Sequence, residues 1–332
     1  MTVHIFTPEF YKVRGGIKSC VEKQVQYMRL SKIGVKVNSL DAGRSRWLLI
    51  GDVLMSLKSS AAIHVHGVYF LVIFAGLSCI FRKKIIKLYF HGSELDFIEQ
   101  NRPILLVILR IFVKGFGCNV EMLFVSKFLK KKMIMALQID TKAVKTEVCY
   151  FGPVYASRSA SIRSQKSVKS RPVKLLTVSR IDRRKGVFQM LEAFRHLNEK
   201  IDVEWVIIGG GLDEESFRQE INQLEDCSID YLGSLDPASL SIYYKEADVF
   251  WLCSMYEEGL GLVYLEAAAF NLPSVGLKRG GVEEAVSQGK TGLLVNSVED
   301  SVDAIIELSD TVLSSDNFEN LVSQRRTFFN FL

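Results

Sequence analysis

The stretch from Lys245 to Val275 leaves few folds open. Val249 to Cys253 is an apolar run of strand length, and Ser254 to Gly261 is a polar, glycine-bearing loop. Leu262 to Phe270 has no Gly or Pro and is rich in Ala and Leu, which predicts a helix. Asn271-Leu272-Pro273 stops that helix and Ser274-Val275 opens another strand. Strand, loop, helix, strand is the building block of a parallel α/β sheet. Two carboxylates mark the unit: Glu258 closes the loop and Glu266 lies in the helix. They would share a face about 12 Å apart were both helical. Gly259 and Gly261 let a ligand approach the backbone, and a helix start attracts phosphate through its free N–H groups. A phosphate site with a carboxylate on either side suits a nucleotide-sugar, whose hydroxyls flank a diphosphate.

Ser254 to Glu266, with Glu257-Glu258-Gly259-Leu260-Gly261-Leu262-Val263 and Leu265-Glu266-Ala267, resembles the signature of retaining, nucleotide-sugar-dependent glycosyltransferases of the GT-B fold, nearest to glycosyltransferase family 4. The resemblance covers most of residues 3–310 and is dense from 173 to 298. It implies an α/β protein with two Rossmann-like doubly wound domains facing each other across a cleft. Residues 1–154 would be the acceptor-binding domain and 173–332 the nucleotide-sugar domain. Residues 155–172, rich in Ser, Arg and Lys with almost no large apolar side chains, read as the linker.

In the second half, the strand Val173 to Val178 runs into a loop carrying Arg180 and Lys185, ahead of a helix from about Phe188 to Leu197. An Arg fork and a Lys point charge on one loop could close on a pyrophosphate. The resemblance makes this pair the donor phosphate clamp; it assigns nothing to Arg183 and Arg184, which read as solvated. Val203 to Ile208 leads into Gly209-Gly210-Gly211. A dinucleotide fingerprint would need glycine at 209, 211 and 214, and residue 214 is Glu, so a dehydrogenase reading fails. By resemblance, Gly210 belongs to a turn beside the nucleotide and Leu232 lies against the base. Gly259, Leu260, Gly261, Leu262 and Glu266 then hold the donor, and Glu258 serves the sugar end.

The first half opens with the strand Val3 to Phe6 and a loop ending in Gly15-Gly16. A helix follows from about Lys18 to Ser31, with Val21, Val25, Met28 and roughly Leu30 inward. The resemblance places Gly16 over the donor phosphate. Val68 to Phe81 is too short to cross a hydrocarbon core of about 30 Å, which needs ~20 residues, and reads as a buried crossover helix. The strand Ile85 to Phe90 delivers His91 at its carboxyl end, where open α/β sheets hold ligands. In the resembled family a His at this place faces the donor sugar. His64 and His66 read as structural. The last strand of this half is expected from Val148 to Pro153, where Phe151-Gly152-Pro153 departs from the family's usual Asn-Gly.

Charge divides the chain. Residues 1–171 hold 28 Lys+Arg against 10 Asp+Glu, a balance of +18; the remainder holds 14 against 27, a balance of −13. A basic half points to nucleic acid, an anionic membrane surface or a phosphorylated acceptor, and the lack of an aromatic-interleaved recognition motif speaks against nucleic acid. The apolar, cationic segment 102–114 and the basic run 127–132 lie in that half. Periodicity does not separate a buried helix from a membrane-surface helix over 102–114. The opening residues do not read as a cleavable signal peptide, and the six cysteines show no metal spacing. Glu94-x-Asp96 is the nearest approach to an Asp-x-Asp metal pair. A metal-independent enzyme without cofactor is expected, with Arg180 and Lys185 in the metal's place.

The resemblance therefore implies a retaining hexosyltransferase with His91, Glu258, Arg180 and Lys185 at the reaction centre. It would move a hexosyl unit from a nucleotide diphosphate-sugar to a lipid-linked or oligosaccharide acceptor in bacterial surface polysaccharide synthesis, of the O-antigen or lipopolysaccharide kind. Its place would be cytoplasmic, peripheral at the inner face of the membrane. A GT-B nucleotide-sugar epimerase and a non-catalytic nucleotide-sugar-binding or scaffold protein are the alternatives. Relatives usually continue into a helix that crosses back to the first domain, and this chain ends soon after Arg325-Arg326.

Overall fold

A computed structural model of the chain describes residues 2–8, 16–40, 46–58, 62–67, 70–71, 73–74, 77, 86–92, 104, 107–111, 120–152, 171–224, 228–237, 239–311 and 315–324. The chain divides into two compact units between Val154 and Tyr155. Gly15, Glu94, Asp96, most of the expected linker and the stretch after Gln324 lie outside the described residues.

The first unit is built on a parallel sheet of order β2-β1-β3-β4-β5-β6. Its strands are β1 (Thr2–Thr7), β2 (Gly34–Ser39), β3 (Ala62–His66), β4 (Ile86–Phe90), β5 (Val120–Phe124) and β6 (Lys145–Val148). Val3 and Ile5 of β1 pack on Val21, Val25 and Met28 of the helix Gly16–Leu30. Leu30 does not join them and is 60% exposed. Two residues past Met28 is about 200° around a helix of 3.6 residues per turn, which turns Leu30 to the far side. Gln24 is a polar residue in that otherwise apolar buried face. Of the expected crossover helix, Phe70, Leu71 and Phe74 are buried, with Phe70 and Phe74 against Phe6.

β6 precedes the strand expected at 148–153. It pairs with β5 from Glu121↔Lys145 to Phe124↔Val148, and its KTEV sequence has no apolar run because an edge strand has one neighbour. The apolar residues after it, Cys149 to Phe151, are buried outside the strand, and Cys149 N–H donates to Phe124 O at 2.7 Å. The basic run 127–132 lies on the helix Lys127–Leu137, whose first turn is capped by Ser126 Oγ accepting from Leu129 N–H at 3.0 Å.

The second unit carries a parallel sheet of order β12-β11-β10-β7-β8-β9. Its strands are β7 (Val173–Val178), β8 (Val203–Ile208), β9 (Ile229–Tyr231), β10 (Val249–Leu252), β11 (Ser274–Leu277) and β12 (Gly292–Val295). Counted within the unit this is 6-5-4-1-2-3, the doubly wound order, and its direction reverses between β7 and β10. The Trp205 and Trp251 rings meet in the core at 4.8 Å. Their indole N–H groups donate to Thr177 Oγ1 (2.9 Å) and Ser301 Oγ (3.1 Å), so these large residues bury without stranding a donor. Arg171, at the end of the expected linker, forms a bidentate pair with Asp248 at 2.7 and 2.8 Å. The helix expected to reach Phe270 spans Leu262–Ala268. It ends because Asn271 turns left-handed (φ 54°) and Leu272 N–H reaches back to Ala267 O at 3.1 Å.

Candidate active site

The reversal of strand order opens a crevice at the carboxyl ends of β7 and β10, the place where doubly wound sheets bind ligands. Both loops that leave there carry predicted residues. Lys185 comes from the β7 exit and Glu258 from the β10 exit; Lys185 Nζ donates to Glu258 Oε1 at 2.5 Å, with only 14% and 15% of the side chains exposed. The backbone explains the meeting. Asp182 accepts from Arg184 N–H and caps a 3₁₀ turn over Arg183–Lys185. Gly186 follows in the left-handed region (φ 74°), and a Cβ there would sit 2.0 Å from Cys253 O. Glycine alone lets the β7 loop lie against the end of β10.

The arginines of that loop differ. Arg184 is exposed, as expected, and also donates to both carboxylate oxygens of Asp182 at 3.0 and 2.7 Å. That bond, with the backbone N–H beside it, holds the Asp182 carboxyl down at about 2. Arg183 lays its guanidinium 4.3 Å from the Phe188 ring centre. Arg180 is exposed, and its guanidinium has no ion pair among the described residues. Of the two cations expected to form the clamp, Lys185 is held by a carboxylate and Arg180 is exposed.

Glycine turns close the neighbouring exits. A Cβ on Gly209 would lie 1.7 Å from Ser179 O, and one on Gly211 2.0 Å from Ile181 O, so the β8 exit rests directly on the β7 loop. Gly210 lies between, with Ser234 Oγ and the Glu214 carboxylate within 3 Å of a Cβ placed there. Leu232 follows β9, partly buried, its N–H on Ile207 O. Gly281 N–H donates to Glu258 O at 2.7 Å, and a Cβ at Gly281 would be 2.2 Å from Gly259 O, so the β11 exit fixes the backbone under Glu258. Arg279 Nη1 braces the same loop through Met255 O at 2.6 Å. Gly280-Gly281 makes this support possible; nothing in the sequence marked Arg279. Gly261 (φ 79°) turns the chain into the helix that starts at Leu262, and Leu260 is buried beneath. Inside that helix, Glu266 Oε2 accepts from the buried Tyr244 hydroxyl at 3.4 Å. Burial and the nearby carboxylate push the Tyr244 hydroxyl well above the usual range, so it stays a neutral donor. A cavity of ≈ 360 Å³ in this unit, lined by Lys174, Glu204 and Tyr243, lies at the amino ends of β7 and β8 and touches none of these residues.

In the first unit, His91 stands partly buried at the carboxyl end of β4. Burial pushes its imidazole down to about 3, so it is neutral at pH 7. His91 Nε2 is 2.8 Å from Nδ1 of His66, a residue read from sequence as structural. Gly16 opens the first helix, and a Cβ there would meet nothing within 4 Å, so packing does not require glycine.

Two parallel six-stranded sheets, the second presenting a cation and carboxylates over glycine turns at its switch point, define a GT-B-fold protein. Solved structures share that fold over nearly the whole chain. An Anabaena protein, HepE, in complex with UDP superposes with a TM-score of 0.75 at 20% identity, over 99% of this chain and 97% of that one. The profile of the glycosyl transferases group 1 family matches residues 159–326, and the chain belongs to that family. Among curated relatives, a GDP-mannose-dependent alpha-(1-6)-phosphatidylinositol monomannoside mannosyltransferase of Mycobacterium tuberculosis is 30% identical over 238 residues, 66% of this chain and 58% of that protein. An alpha-monoglucosyldiacylglycerol synthase of Streptococcus pneumoniae is 28% identical over 166 residues, 49% and 37% of the two chains. The match thus spans less than two thirds of either relative's length.

Proposed function

We propose that the protein is a retaining hexosyltransferase that takes its sugar from a nucleotide diphosphate donor. The observation that carries this is Lys185 paired with Glu258 at the switch point, with Arg180 exposed on the same loop. Arg180 and Lys185 stabilise the charge that builds on the leaving diphosphate as the glycosidic bond breaks. The diphosphate takes the acceptor hydroxyl's proton, so transfer proceeds with no enzyme nucleophile and with retention at the anomeric carbon. Glu258 serves the sugar end and Glu266 the ribose hydroxyls. Gly210 and Leu232 lie beside the nucleoside, Gly259 to Leu262 line the diphosphate turn, Gly16 borders the phosphate, and His91 serves the transferred sugar. Two cations at the diphosphate do the neutralising work of a divalent metal, so transfer should survive a chelator.

The acceptor we propose is a lipid-linked glycan of a bacterial surface polysaccharide, met at the inner face of the membrane. Both curated relatives are named for lipid acceptors or lipid products. Helical residues Ile104, Val107 and Ile111 are spaced along one side of a turn and are 66%, 49% and 57% exposed, in the basic half of the chain. The test is a thermal-shift screen of nucleotide-sugars, followed by product analysis with the stabilising donor and a lipid-linked acceptor. Glycoside formation with retained anomeric configuration supports the proposal. An epimeric nucleotide-sugar formed without acceptor, or donor binding without turnover, would overturn it.

A further inference from the structure

A chain of hydrogen bonds runs through the core of the first unit and ends on His91. Tyr89 Oη lies 3.1 Å from His64 Nδ1, Gln24 Nε2 2.9 Å from the same His64 Nδ1, and Gln24 Oε1 3.1 Å from His66 Nε2; His66 Nδ1 is then 2.8 Å from His91 Nε2. Gln24, His64 and His66 are fully buried and Tyr89 is 1% exposed. His66 stacks on Tyr89, centroids 4.6 Å apart and rings within 5° of parallel. These polar side chains reach inward from β3, β4 and the first helix and form one connected network, with Tyr89 and Gln24 meeting at His64 Nδ1.

The chemistry of the atoms gives this network a direction. Gln24 Oε1 can only accept, so His66 Nε2 carries the proton. A buried imidazole is neutral, so His66 Nδ1 is then a lone pair and can only accept from His91 Nε2–H. His91 is left with its lone pair on Nδ1. We propose that Gln24 and His66 are positioning residues that lock the His91 ring in the Nε2–H tautomer, which makes Nδ1, buried in the unliganded protein, the ring's acceptor atom toward a sugar hydroxyl once the donor is bound. This rests on the reading of His91 as a residue of the transfer site. Reversing the Gln24 amide would invert every bond and put the proton on His91 Nδ1, so the tautomer of His91 reports the direction of the whole chain.

The surroundings keep the rings neutral. Burial lowers His66 far below the usual histidine range, reinforced by His91 and His64; burial, then Lys87, brings His64 to about 3. Tyr89 is raised well above its range by burial, with Cys149 and Glu121 adding to it. Phe151 covers His91 from the end of the sheet at 5.9 Å.

The test uses the full chain labelled with ¹⁵N-histidine, assigned by single substitution. Wild type should show His91 with a protonated Nε2 and a bare Nδ1, and no titration between pH 5.5 and 8. Gln24→Met and His66→Phe, the second keeping the stack on Tyr89, should mix the tautomers, while burial keeps His91 neutral over the same pH range. Both should lower kcat for transfer roughly 10- to 100-fold, the scale of losing a group that orients a functional imidazole, with donor KM changed by less than about threefold. His66→Asn keeps an acceptor where Nδ1 sits and should restore the tautomer and most of kcat; it also serves if His66→Phe does not fold. A wild-type His91 protonated on Nδ1, or a His91 ring unmoved in Gln24→Met, His66→Phe and His66→Asn alike, would overturn the inference. Full transfer by His91→Ala would remove the site role of His91 while leaving the tautomer result as a separate fact.

Discussion

Lys185 Nζ and Glu258 Oε1 lie 2.5 Å apart, on loops that leave the two strands flanking the switch point of the second sheet. On the proposed reading a donor diphosphate has to draw Lys185 off a carboxylate, whereas Arg180 is exposed and makes no ion pair among the described residues, Asp182 acting on it at longer range. Arg180 should therefore meet the donor first, and Lys185 should engage as Glu258 turns to the sugar. Arg180→Ala and Lys185→Ala are each expected to cut turnover by ~10²-fold or more, the scale of one preorganised charge stabiliser lost. Turnover within twofold of wild type for both would end the clamp.

Glu258 and Glu266 should separate in binding experiments. Glu258→Gln removes the charge that competes for Lys185, so nucleoside diphosphate affinity should hold or rise while transfer slows. Glu266→Gln should weaken the same ligand about tenfold or more, since a hydrogen bond to a charged group contributes about 1.5–3 kcal/mol. Calorimetry with the bare diphosphate decides between them, and equal losses in both variants would refute the assignment.

Gly186→Ala tests how the β7 loop is seated. A left-handed backbone strains any L-residue by about 1–3 kcal/mol, and the new methyl would sit 2.0 Å from Cys253 O. The urea midpoint should fall and turnover should fall with it, because Lys185 is the preceding residue. Gly16→Ala, with nothing within 4 Å of its methyl, should leave the midpoint unchanged.

Acid should destabilise the first unit through its buried imidazoles. His64 and His91 have folded pKa values near 3 against an ordinary 6.5, and His66 is also lowered. Between those values the unfolded chain binds more protons than the folded one. Stability is therefore complete above about pH 6.5 and lost as pH falls toward 3, by up to about 1.4 kcal/mol per pH unit for each group. Urea titrations at pH 7.5, 6 and 5 should show the decline, and His66→Phe should flatten it. A stability independent of pH across that range would mean the imidazoles are not held neutral.

Membrane attachment predicts a salt and lipid dependence. Anionic vesicles should sediment the protein at low salt and partly release it at high salt, and neutral vesicles should hold it poorly, because attraction is screened beyond a Debye length of about 8 Å at physiological ionic strength. Val107→Ser with Ile111→Ser should weaken sedimentation without lowering stability, both side chains being about half exposed. Lys130 is a poor probe, since its ammonium already donates to Thr146 O at 2.6 Å, whereas Lys131 is exposed. Equal binding to anionic and neutral vesicles would leave the basic half a solvated surface.

The sequence alone determined the parallel α/β class, the strand–loop–helix–strand unit around Glu258, and the loop carrying Arg180 and Lys185. These depend on apolar runs, turn residues and spacing, which are local and therefore written along the chain. β6 was misplaced because an edge strand needs no apolar run, and Leu30 because its angle around the helix, not its hydrophobicity, decides which way it faces. Tertiary structure decided the rest. It set Lys185, 73 residues away in sequence, against Glu258, and made His66, the last residue of β3, the partner of His91. Hydrogen bonds and ion pairs act over about 3 Å in space with no preferred separation along the chain, so only the folded sheets can say which polar groups meet.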